Sequence, residues 1–137
     1  MGRIMGVDYG KKRSGVSVTD PLQIIVQGLG TQNTEDLLNF ILSYSQKEII
    51  DAFVVGYPFL EGEWGDKKFK IKLDEFIRDL KKNFPDIPVN LHDERYSSVR
   101  AREIIFQSGV SKKQRRNKEL LDQTSAIVIL QEYLGHI

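Results

Sequence analysis

Two periods of apolar spacing alternate along this chain, and each change of period marks a change of element. Residues 3 to 8 (RIMGVD) and 14 to 19 (SGVSVT) read as two strands joined by the YGKKR corner, the second alternating small or polar residues with valine. IIVQGLGT at 24 to 31 reads as a third strand after the Pro21 turn, with Gly28 and Gly30 marking an edge or a bulge. From Thr34 the spacing turns helical, with Leu37, Leu38, Ile41 and Leu42 on one side behind an Asn33 or Thr34 cap. DAFVVGYP at 51 to 58 is apolar without alternation, as a strand buried on both faces is.

FLEGEWG at 59 to 65 is a glycine-bounded loop that carries Trp64, and an amphipathic helix follows with Phe69, Leu73, Phe76, Ile77 and Leu80 on one side. Pro85 and Pro88 close it. IPVNLHDER supplies a strand that ends near His92, and VRAREIIFQSG at 99 to 109 a helix stopped by Gly109. A last helix runs from about Lys118 to Leu134. The predicted order β-β-β-α-β-α-β-α-α, a meander followed by βαβα units, gives a mixed sheet with helices on its faces.

Composition narrows this picture. A chain of 137 residues, 40% hydrophobic and 28% charged, is expected to be one domain over 1–137. It has no cysteine, which excludes disulfides and thiolate metal sites and fits a reducing, cytoplasmic setting. Its longest apolar runs, such as AIVIL at 126 to 130, fall far short of the roughly 20 residues that span a bilayer, so no membrane partner is expected.

The net charge is only +1, yet the charge is unevenly placed. SKKQRRNK at 111 to 118 carries Lys112, Lys113, Arg115, Arg116 and Lys118 with no acid among them, and Arg95, Arg100 and Arg102 lie just upstream. Three acidic positions stand at element ends: Asp8, the pair Asp93 and Glu94, and Asp122. With the first and fourth strands adjacent and parallel, Asp8 and the Asp93-Glu94 pair share the sheet edge where α/β folds bind ligands, within reach of the last helix. Converging carboxylates without cysteine or a histidine cluster describe an oxygen-ligand site for Mg2+ or Mn2+, and such ions activate phosphodiester hydrolysis. Basic segments then serve as phosphate contacts.

Each residue also has an ordinary role. Asp8 could cap its own turn, Asp122 could compensate a helix dipole, Asp93-Glu94 could pair with Arg95, and the basic run could be a solvated loop. His92 and Trp64 read as structural.

MGVDYGKKRSGVSVTD, then VVGYP at 54 to 58, DERYSS at 93 to 98 and LLDQTSAIVILQEYL at 120 to 134 resemble, in order, the motifs of the YqgF or RuvX family. These are Holliday-junction-resolvase-like proteins also described as pre-16S rRNA nucleases. The resemblance implies an α/β, RNase H-like fold, a five-stranded mixed β-sheet flanked by α-helices. It implies Asp8, Glu94 and Asp122 as a catalytic, metal-binding triad, with Asp93 a neighbour. The activity implied is metal-dependent cleavage of pre-rRNA at the 16S 5′ end, or of branched DNA, by a monomer or a homodimer that could also meet the ribosome. Lys12, Arg13, Arg95, Lys112, Lys113, Arg115 and Arg116 are the expected nucleic-acid contacts. Small departures, GYP for GLP, Ser17 for alanine, YSS after DER and QTSA at 123 to 126, touch none of the three acids.

Two other readings stay open on the residues alone. One is a nucleic-acid- or ribosome-binding module that does not cleave. The other takes DYGKKRSGVSVTD as the phosphate loop of an actin-like sugar kinase, against which stand the short chain and the absence of a second glycine-rich motif.

Overall fold

A computed structural model describes residues 2–58, 67–93, 97–107 and 118–137, with 97–99 and 118–122 by their backbone alone. The strands are β1 (Arg3–Asp8), β2 (Arg13–Thr19), β3 (Val26–Asn33), β4 (Ile50–Tyr57) and β5 (Val89–Asp93). The helices are α1 (Leu37–Lys47), α2 (Lys67–Asn83), α3 (Ser97–Gln107) and α4 (Lys118–Tyr133). The expected five-stranded mixed sheet is present, in the order β3-β2-β1-β4-β5. β1, β2 and β3 form the antiparallel meander, and β4 and β5 run parallel to β1.

Alternation along the strands divides the core into two layers. Met5, Val7, Val16, Val18, Phe53 and Val55 point to one face and pack against Leu37 and Ile41 of α1 and Leu73, Phe76 and Leu80 of α2. Ile4, Ala52 and Val54 point to the other and meet Ile129 and Leu130 of α4. The run that reads as unalternating, β4, is buried on both faces from Ala52 to Gly56. α3 packs on α4 and buries Ala101 and Ile105.

Two details differ from the sequence-based expectation, each for a local reason, and one is borne out. β3 begins at Val26 rather than residue 24, because the amides of Ile24 and Ile25 donate to Asp20 Oδ1 at 2.7 and 2.8 Å and belong to the turn. Gln23 takes a φ of 60° in that turn. The bulge that Gly28 and Gly30 announced is there: Val16 pairs with Gly30 and Ser17 with Gly28, so Leu29 is the extra residue, and Gly30 has φ 87°. Thr34 caps nothing on its own helix. It opens a 3-10 turn, Thr34–Asp36, and its hydroxyl reaches back to the β1–β2 corner. The loop 59–66 with Trp64, and Gly109, lie outside the described residues.

Candidate active site

The site starts from the C-terminal edge of the three parallel strands. Asp8 ends β1 and pairs with Gly15 of β2; one residue earlier, Val7 pairs with Val55 of β4. On β4 and β5, Gly56 pairs with His92 and Tyr57 with Asp93. The ends of β1, β4 and β5 are therefore level, and β1 and β5 are two strand spacings apart, about 10 Å. Asp8 is half-buried at this edge.

The pleat decides which neighbours Asp8 can share a ligand with. Gly6, two residues before it, lies directly under α4: a Cβ there would come 2.6 Å from Leu130 Cγ and 3.2 Å from the Ala126 carbonyl oxygen. Asp8 has the parity of Gly6 and so faces the α4 side. His92 faces that side too, since its Nε2 lies 3.5 Å from Glu132 Oε1 on α4. Asp93, one residue on, has the opposite parity and belongs to the α2 side with Tyr57. That separates Asp93 from Asp8, although both stand at the same edge.

Helix α4 brings position 122 to the same place. The Ser17 hydroxyl donates to the Ala126 carbonyl at 2.7 Å and fixes Ala126 over Gly6. Further along, Ile129 and Leu130 sit with Ile4, so the helix runs antiparallel to β1. Asp122 precedes Ala126 by one turn, about 6 Å of helix, and Asp8 follows Gly6 by two residues, about 7 Å of strand. Both displacements point the same way, so the backbone of Asp122 stands at the Asp8 end of the sheet.

Glu94, Arg95 and the basic residues Lys112, Lys113, Arg115 and Arg116 lie outside the described residues. Among the described residues no three His, Cys, Asp or Glu side chains form a metal-binding group. The donors that can be named there, Asp8 and the position of Asp122, are oxygen-bearing and fit a hard divalent cation.

The corner between β1 and β2 is stitched down. The Gly10 amide donates to Ser14 Oγ at 3.1 Å, Ser14 Oγ lies 2.8 Å from Thr34 Oγ1, and Thr34 Oγ1 donates to the Gly10 carbonyl at 2.7 Å. The Thr34 amide donates to the Lys12 carbonyl at 2.9 Å. This holds Lys12, which is exposed, and Arg13, the first residue of β2, beside the Asp8 edge. Lys11 and Lys12 line a cavity of about 330 Å³ with Asn33 and Glu35.

Other side chains near the edge escaped the sequence. Arg100, expected to add to a basic patch, donates to Glu132 at 3.0 Å, so one carboxylate of α4 engages both His92 of β5 and Arg100 of α3. Tyr57, which gives GYP in place of GLP, donates to Asp74 Oδ1 of α2 at 2.9 Å. Burial, and then that hydrogen bond, hold its phenol above the usual tyrosine range. Tyr9 packs its ring against Phe69 and Phe76 at centroid distances of 5.7 and 5.1 Å. Burial raises its pKa as well, with the charge of Glu75 adding to it.

A family model described as "RuvX: Holliday junction resolvase" matches residues 2–136. A protein of Amoebophilus asiaticus is 50% identical over 137 residues, covering 98% of this chain and 95% of its own. One of Phocaeicola vulgatus is 46% identical over 134 residues, covering 98% and 96%. Both carry the name "Putative pre-16S rRNA nuclease". RuvC of T. thermophilus, solved in complex with Holliday junction substrate, superposes with a TM-score of 0.61 at 15% identity, over 98% of this chain and 97% of that one, a likeness of fold. Matched over nearly its whole length, and built on the same mixed sheet with helices on both faces, this chain belongs to the RuvX family and has an RNase H-like fold.

Proposed function

We propose that this protein is a metal-dependent endonuclease that hydrolyses phosphodiester bonds in nucleic acid, acting in maturation of the 5′ end of pre-16S rRNA. The observation that carries the reading is the convergence of Asp8 and position 122 on one face of one sheet edge, in a chain whose relatives are named as nucleases. Asp8, Glu94 and Asp122 are the residues assigned to hold Mg2+ or Mn2+. When bound, such a cation supplies positive charge to phosphate oxygens and lowers the pKa of water.

The chain's own residues do the rest. Asp8 offers its carboxylate from the end of the central strand, paired with Gly15 of β2 and one residue beyond the Val7–Val55 pair with β4. Lys12 and Arg13, on the stitched corner, hold phosphates next to it, and Arg95, Lys112, Lys113, Arg115 and Arg116 extend that contact along the backbone of the substrate. Among the described residues no helix is long and apolar enough to cross a membrane, and the chain has no cysteine, in keeping with work in the cytoplasm.

The test is cleavage of a pre-16S transcript with its 5′ extension, in magnesium and in manganese. The expected result is cutting that chelation with EDTA stops and Asp8→Asn abolishes. Cutting that survives Asp8→Asn would sink the assignment. The family description favours a second reading, resolution of branched DNA. Resolving a junction takes two active sites, so a strict monomer in solution would weaken it and leave the rRNA reading standing.

A further inference from the structure

Tyr9 follows Asp8 directly but points to the opposite face of the sheet, and there it walls a second feature. A cavity of about 220 Å³ is lined by Tyr9 and Lys11 from the β1–β2 corner and by Lys68, Phe69 and Lys72 from the start of α2. Two half-buried aromatic rings, Tyr9 and Phe69, line it together with lysines from the corner and from α2. In the sequence the lysines of KKFKIK read only as the polar side of an amphipathic helix. The fold turns part of it toward the hairpin corner.

Among the described residues, the lining of this cavity carries three lysines and no acid. The adjoining cavity, of about 350 Å³, is lined by Glu35, Glu75 and Asp79 along with Tyr9, Lys72 and others, so positive potential stops at Lys72 on that side. On the other side Lys11 also lines the cavity that holds Lys12. Lys72, Lys11 and Lys12 thus run from the start of α2 to the corner that follows Asp8, with Glu35 beside Lys12 at its margin. The volume lies below the roughly 300–1,000 Å³ of pockets for drug-sized ligands and suits a single planar base.

We propose that this cavity binds an unpaired stretch of nucleic acid leading to the cleavage edge, one base against the Tyr9–Phe69 rings and its phosphates on Lys11, Lys68 and Lys72. A duplex offers no free base face to the rings, so the site selects a single-stranded flank. The inference rests on the nucleic-acid reading above and adds to it the state of the strand beside the cut.

Binding is measured by fluorescence anisotropy in EDTA, so that cleavage plays no part. The probes are a short labelled single strand, RNA in one arm and DNA in the other, and the matching duplexes. Replacing Lys11, Lys68 and Lys72 together by alanine is expected to weaken single-strand binding about tenfold and flatten the slope of log K against log salt by about 2, at about 0.7 per phosphate contact. Phe69→Leu keeps the apolar volume and is expected to cost about five- to tenfold in single-strand affinity, with the salt slope and duplex binding unchanged. RNA and DNA arms should respond alike, because neither ring nor lysine reads the sugar. A triple variant with parental affinity and slope overturns the inference, as does a Phe69→Leu loss equally large for duplex. A parent chain that binds none of the probes overturns the nucleic-acid reading itself.

Discussion

Gly6→Ala is the sharpest probe of how the edge is assembled. The added methyl would meet Leu130 Cγ at 2.6 Å, Ser17 Oγ at 2.7 Å and the Ala126 carbonyl at 3.2 Å, and neither the helix backbone nor the buried serine can swing clear. Overpacking of this kind costs about 1–3 kcal/mol. Losing the Ser17–Ala126 hydrogen bond adds about 0.5–1.5 kcal/mol. The better strand propensity of alanine returns roughly 0.5–1 kcal/mol. The net is about 2 kcal/mol, or a fall in Tm of roughly 6–10 °C for a chain of this length. Because relief comes by lifting α4, Asp122 moves relative to Asp8, and cleavage should fall by up to about 100-fold at a temperature where the variant is still folded. Gly28→Ala is the control. Its Cβ would press on Gln123 Nε2 at 2.6 Å and approach Gln123 Cγ and Ile127 Cδ1 at 3.1 Å, all side-chain atoms and none backbone, and the cost should stay below that of Gly6→Ala, at about 1 kcal/mol. Calorimetry and single-turnover cleavage on the three proteins decide the matter. A Gly6→Ala protein that melts with the parent and cuts at its rate refutes the close seating of α4.

Other consequences are easier to check. Thr34→Val keeps the shape but removes the hydroxyl that joins Gly10 and Ser14, and should cost about 1–2 kcal/mol in denaturant unfolding; an unshifted midpoint would mean the stitch is idle. Tyr9, Tyr44 and Tyr57 all have phenol pKa values raised, first by burial. A raised value means the folded chain keeps its proton where the unfolded chain has lost it, so this stabilisation is whole below about pH 10 and declines as pH rises beyond it. Unfolding midpoints taken between about pH 9 and 11 should fall, less steeply in Tyr57→Phe; a rising midpoint would contradict the sign.

Where one element dictates its own shape, the sequence showed it plainly. The hairpin, the doubly buried β4 and the apolar face of α2 follow from local spacing, and Asp8 stood out as a carboxylate at the end of an apolar run. What stayed hidden depends on partners far along the chain. Nothing near Thr34 says that its hydroxyl serves residues 10 and 14 rather than its own helix. Nothing near Gly6 says that a helix 120 residues later rests on it. Parity alone set Asp93 apart from Asp8, and that needed the register of β5. Lys68 and Lys72 looked like any solvated helix face until the corner at Lys11 was brought beside them. It is the motif order, rather than any local rule, that singles out Asp8, Glu94 and Asp122 as the expected acids.

The strand order gives the site a gradient of local stability. β1, which carries Asp8, is the central strand, bonded on both sides and covered on both faces, so its amides should exchange only when the whole sheet opens. β5, which leads to Glu94, is an edge strand and is nowhere fully buried. If Glu94 completes the proposed metal site from the end of β5, opening of that margin is expected to silence cleavage on warming before the core around β1 melts.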